Sequence, residues 1–116
     1  MKLCIPTTSD EGLAAPVSGH FGRAPFYSFV DTESGAVDAV PNPGHEAVHP
    51  PDLVLGHTPG AVAVRGMGRG AYRRLSERGV RVLATGERDV ESTLRAYRAG
   101  ELKELDESEL HAGGHH

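Results

Sequence analysis

Two short segments carry residue types that could hold a ligand. The first is Gly66-Met67-Gly68-Arg69-Gly70, between an apolar run and a helical pattern. At such a place, backbone N–H groups of a glycine-rich turn and a helix N-terminus favour an anion. Arg65 and Arg69 add charged donors. The spacing is not that of a Walker A loop, because no Lys-Ser/Thr follows, nor G-x-G-x-x-G, because the third glycine comes too early. On spacing alone the segment reads equally as a tight strand-to-helix turn that needs glycine. The second segment is Ser18-Gly19-His20-Phe21-Gly22-Arg23-Ala24-Pro25, an imidazole and a guanidinium set among glycines. Histidine is a common metal ligand and arginine suits carboxylates. A loop whose Phe21 packs on the core while His20 is exposed is the simpler account without further context.

Other candidates are weaker. His45, His49 and His57 are close in sequence. The i, i+4 spacing of His45 and His49 would suit a metal on a helix, but Pro50 and Pro51 argue against one there. They could still join His20 across a loop. His111, His115 and His116 end a glycine-rich tail, which reads as a weak divalent-metal tract, a disordered terminus or a tag remnant. Cys4 lies inside the first apolar run and reads as a small core residue, since iron–sulfur clusters usually need four thiolates. Asp10, Asp31 and Asp38 fall on different elements, so no two-metal nuclease site is expected. Nucleophile motifs are absent. The expectation is a binding protein, not an enzyme.

Composition narrows the partners. With 116 residues the chain is sized for one domain and a modest core. Its 15 glycines and 8 prolines imply many turns. A net charge of −4 and 5% aromatics argue against a nucleic-acid surface. No apolar run approaches the roughly 20 residues that span a bilayer. Met1-Lys2-Leu3-Cys4-Ile5-Pro6 is too short to be a signal peptide, so a cytoplasmic location is expected. One cysteine agrees with a reducing compartment.

These segments need elements to position them. Leu3-Cys4-Ile5 reads as a strand, and residues 7–24 as a long loop of functional type. Residues 26–31 and 36–40 alternate and form a hairpin about Thr32-Glu33-Ser34-Gly35. Pro51 opens a short helix through Leu53-Val54-Leu55. Ala61-Val62-Ala63-Val64 suits a central strand covered on both faces. A helix follows over 71–78, a strand over 80–84, and the clearest helix over 89–99, with Val90, Leu94 and Tyr97 on one face. The order predicts an α/β, ribonuclease H-like three-layer fold. Its five-stranded mixed sheet has order 3-2-1-4-5, with strand 2 antiparallel and helices on the faces. Residues 1–102 form the domain; 103–116 are an acidic, His-containing flexible tail. A ligand crevice is expected where strand order reverses, among residues 6–10 and 66–70, with the loop at Gly86 nearby.

At these positions the chain resembles a known family. Gly19-His20-Phe21-Gly22-Arg23-Ala24-Pro25-Phe26 is similar to its H-F-G-R-A signature. The opening residues 1–10, Asn42-Pro43, the 66–71 turn and Tyr97-Arg98-Ala99-Gly100-Glu101-Leu102 resemble its other motifs in order. The family is that of the dinitrogenase iron–molybdenum cofactor biosynthesis proteins of the NifX/NafY type, which includes the small C-terminal domain of NifB. Arg65-Gly66 stands where two glycines are usual, and the His-bearing loop after Asn42 also departs from the pattern. The resemblance implies a non-catalytic carrier for an iron–sulfur or iron–molybdenum cluster or its precursor, with a cluster-assembly or nitrogenase-type partner. It makes His20 the expected cluster contact, beside Phe21, Gly22, Arg23, Gly66, Met67, Gly68, Arg69 and Gly70. His20, His45 and His49 are the candidate metal ligands. The alternative is a sensor for a small molecule or phosphate in the same crevice.

Overall fold

A computed structural model describes residues 1–44, 46–106 and 110. Its described residues form six strands, β1 (Lys2–Thr7), β2 (Phe26–Asp31), β3 (Val37–Pro41), β4 (Ala61–Val64), β5 (Arg81–Ala84) and β6 (Lys103–Glu104). The helices are α1 (Pro50–Gly56), α2 (Arg69–Glu77) and α3 (Val90–Arg98). All six strands join one mixed sheet of order β3-β2-β1-β4-β5-β6. β1, β4 and β5 run parallel, while β2, β3 and β6 pair antiparallel.

Side-chain alternation along the strands divides the interior into two layers. Cys4, Tyr27, Phe29, Val62, Val64 and Val82 face one way, where they pack with Val54 of α1 and Leu75 of α2. Leu3, Ile5, Val30, Ala61, Ala63 and Leu83 face the other way and pack on Val90 and Leu94 of α3. β4 is buried at all four positions, as its unbroken apolar run requires. α1 and α2 therefore share one face of the sheet, and α3 covers the other.

The sheet has six strands where five were expected. β6 falls in the stretch assigned to the acidic tail, and pairs Leu83 with Glu104 and Ala84 with Lys103. Both strand residues are exposed, so the pair shows no apolar alternation. The pattern lies in the flanking leucines: Leu102 packs on the α3 layer and Leu105 on the α1/α2 layer. A charged, two-residue edge strand discourages further strand pairing. Leu110 is also buried in the α1/α2 layer. No helix among the described residues is long and apolar enough to cross a membrane.

The expected long loop is tied down. A short 3-10 turn occupies Gly12–Ala14. Val17 bridges Thr7, and Pro16 bridges Asp89. Ala15 and Val17 join the α3-side core. What reaches the other face is residues 18–25.

Candidate functional site

A cavity of about 550 Å³ opens on the α1/α2 face, beyond the end of β4. Two walls come from the two segments singled out in the sequence. Residues 20–23 supply His20, Phe21, Gly22 and Arg23; the β4–α2 turn supplies Gly66, Met67, Gly68 and Gly70. His49, at the N-cap of α1, also lines it. Arg69 opens α2, is exposed, and does not line the cavity. His45, His111, His115 and His116 lie outside the described residues.

The loop that carries His20 is held by buried and part-buried polar contacts. The Ser18 hydroxyl donates to the His20 carbonyl at 3.0 Å, and the His20 N–H donates to the Ser18 Oγ at 3.3 Å. The buried Tyr27 hydroxyl donates to the Phe21 carbonyl at 2.6 Å. Asn42 Nδ2 donates to the Ala24 carbonyl at 2.9 Å, while its Oδ1 accepts the Gly44 N–H at 2.9 Å. Asn42-Pro43, noted in the sequence only as part of a motif, is thus the brace of this wall. Phe21 is 2% exposed and its ring lies 5.4 Å from that of Tyr27, tilted by 52°. Met67 is 1% exposed. Phe21 and Met67 are core side chains that also form apolar cavity lining, while His20, Arg23 and His49 are exposed at it.

The other wall is the start of α2. Its N-cap is Gly68, with φ −74° and ψ 155°, and no side chain caps the first turn. No acidic residue sits in that turn. The helix therefore presents its positive dipole end and first-turn amides that no side chain caps. Neither Gly68 nor Gly70 has a positive φ, and a Cβ added to either would meet nothing within 4 Å. Gly22 is the same. The turn geometry that would demand glycine is absent, so these glycines leave open space instead.

The crevice differs in part from the expected one. Residues 6–10 do not line it, nor does Gly86. The Thr8 N–H donates to the Pro16 carbonyl at 3.0 Å and the Ser18 N–H to the Pro6 carbonyl at 2.8 Å, which closes that side. Arg65 donates to the Glu87 carbonyl at 2.9 Å and is not a cavity residue. His57 stacks on Phe29 with centroids 4.5 Å apart, at the far end of α1. Cys4 is fully buried, and burial pushes its thiol far above the ordinary range, so it is no thiolate ligand. No group of three or more His, Cys, Asp or Glu among the described residues could hold a metal ion.

Sequence reasoning missed Pro50, Pro51, Asp52, Ala71 and Arg74, which also line the cavity. Arg74 lies four residues after Gly70, on the same helix face, a signal available from α-helical periodicity. Asp52 depends on α1 crossing beside α2, which no local pattern states.

Fold and cavity together define a small α/β domain in which a glycine-lined helix entrance faces a histidine-bearing loop across one cavity. The chain belongs to the dinitrogenase iron-molybdenum cofactor family, whose sequence model matches residues 1–100. No curated protein matches it. Among solved structures, PH0822 is 29% identical with a TM-score of 0.76, covering 90% of this chain and 96% of that one. A Thermotoga protein of the DUF35 family, TM1290, is 27% identical with a TM-score of 0.75, covering 90% of this chain and 92% of that one. The apo form of the orange protein from Desulfovibrio gigas shares the fold at 18% identity, TM-score 0.79, covering 90% and 92%.

Proposed function

We propose that this chain is a non-catalytic, cytoplasmic carrier of an iron–sulfur or iron–molybdenum cluster or its precursor, built on a ribonuclease H-like domain. The observation that carries this is the meeting of His20, Arg23 and His49 with the start of α2, which no side chain caps, around one cavity of about 550 Å³. Membership in a family named for the iron–molybdenum cofactor supports the choice of cargo. A cluster of this kind is bulky and anionic, with a sulfide periphery and metal positions open to an imidazole. His20 supplies that imidazole, and His49 a second. Arg23 and the α2 amides neutralise the periphery. Phe21 and Met67 give an apolar surface that limits water access. Cluster assembly on a protein usually uses four thiolates, and the one cysteine here is buried outside the cavity. The cargo therefore arrives preassembled and passes on to a cluster-assembly or nitrogenase-type partner.

Anaerobic titration with a preassembled cluster, read by visible absorption, tests the proposal. The unmodified protein is expected to bind, and His20→Ala to bind at least about tenfold more weakly, the scale on which even outer-shell changes act at metal sites. Absence of binding by the unmodified protein would end it. The start of α2 and the arginines also suit a phosphate-bearing small molecule in a sensor; that ligand would be indifferent to His20→Ala.

A further inference from the structure

Asp52 of α1 and Arg74 of α2 face each other across the cavity wall, joined by an Arg74 Nε to Asp52 Oδ1 bond of 2.8 Å. Their side chains are 36% and 56% exposed, and pairs so exposed stabilise a fold little. The bond engages Nε alone. Among the described residues, no protein group pairs with the two Nη amino groups of Arg74. A guanidinium held at Nε keeps an edge able to bind an anion. Among the described residues, the Arg and Asp side chains that line the cavity are Arg23 and Arg74, opposed by Asp52. An anion drawn to the arginines is repelled by the carboxylate that holds one of them.

From this geometry we infer that Asp52 is a built-in competitor for Arg74: it positions the guanidinium at the cavity and lowers the affinity for an anionic ligand, keeping that ligand releasable. The inference rests on the binding role proposed above, and makes Arg74 an anion contact and Asp52 the residue that sets release. A carrier must let go, and a carboxylate that reclaims the arginine as the ligand departs lowers the barrier to release.

The full chain is titrated with a preassembled, thiolate-ligated 4Fe–4S cluster under anaerobic conditions, and separately with inorganic phosphate by calorimetry. Asp52→Asn removes the competing charge and keeps the shape. It is expected to tighten binding by roughly five- to tenfold, slow release by a similar factor, and steepen the salt dependence. Arg74→Gln weakens binding, and adding Asp52→Asn to it restores little, because the two residues act through one contact. Asp52→Glu stays near the unmodified protein. Unchanged or weaker binding by Asp52→Asn would overturn the inference, as would a gain of equal size in the Arg74→Gln background. Cluster uptake with no Asp52 effect sinks this inference and leaves the carrier role standing. Phosphate binding tightened by Asp52→Asn, without cluster uptake, does the reverse. Uptake of neither anion sinks both.

Discussion

At the start of α3, the Asp89 side chain accepts the Ser92 N–H at 2.9 Å and the Ser92 hydroxyl at 2.6 Å, while the Asp89 N–H donates to Ser92 Oγ at 3.4 Å. Glu91 adds a negative charge to the same turn. At the start of α2, Gly68 occupies the equivalent position and supplies no cap, and the first turn has no acid. Both helices are nine residues long and both follow a parallel strand. One is finished as a stable fold would finish it. The other lacks a side-chain cap at the end that borders the cavity. A capped end costs a protein nothing in function when it faces its own core and loops. An end without a side-chain cap forgoes that stabilisation. Under the carrier role proposed above, the α1/α2 face is the working face and the α3 face its support.

The largest test removes packing from the supporting face. Leu94 is 4% exposed and lies in the α3-side core. Leu94→Ala should cost about 3 kcal/mol, measured by urea unfolding. Cluster affinity, measured well below the unfolding transition, should not change. A matching loss of affinity would show that the two faces are coupled and that the division of labour is wrong.

A smaller effect is expected at the cap itself. Asp89→Ala should cost about 1 kcal/mol with binding unaffected. The sign of its pH dependence follows from the carboxyl. Hydrogen bonds from the Ser92 hydroxyl and then the Ser92 N–H hold it below the usual carboxylate range. A carboxyl lowered in the folded state contributes stability above its unfolded pKa, near 3.9, and loses it as pH falls through the folded value. The gap between Asp89→Ala and the unmodified protein should therefore be full at neutral pH and close in acid. A gap that persists at acid pH would mean that the hydrogen bonds of the ionised carboxylate are not its source.

Much of the frame was legible because it follows short periods. The run Ala61-Val62-Ala63-Val64 predicted a central buried strand, and the 90, 94, 97 spacing predicted the inward face of α3; both hold, although Tyr97 is only partly buried. The strand order β3-β2-β1-β4-β5 was also expected, from the hairpin followed by βα units. β6 was not legible, because its two residues carry only charge and its pattern resides in neighbours. At the cavity, residues 20–23 and 66–70 were found by their residue types, but Arg69 was included because it is adjacent to glycine and α2 turns it away. Asp52 and Arg74 were missed because their meeting is set by the packing of α1 on α2, a contact 22 residues apart in sequence.

The smallest change in stability gives the sharpest comparison: transplanting the cap of α3 onto α2. Gly68 has an ordinary extended conformation, and a Cβ added there meets nothing within 4 Å. Gly68→Asp should therefore fold without strain and raise stability by a few tenths of a kcal/mol, since glycine is already a tolerable N-cap. Its effect on the ligand should be far larger in proportion. The carboxylate would occupy the amides of α2 and place a negative charge at the cavity, reducing affinity for an anionic cluster by on the order of tenfold. Gly68→Asn separates the two causes, because it caps the amides without adding charge. If binding falls with Asp and less with Asn, charge dominates; if it falls equally, competition for the amides does. If both variants stabilise α2 and neither disturbs binding, the open helix end is not used by the ligand. The difference between α2 and α3 would then be one of helix stability alone.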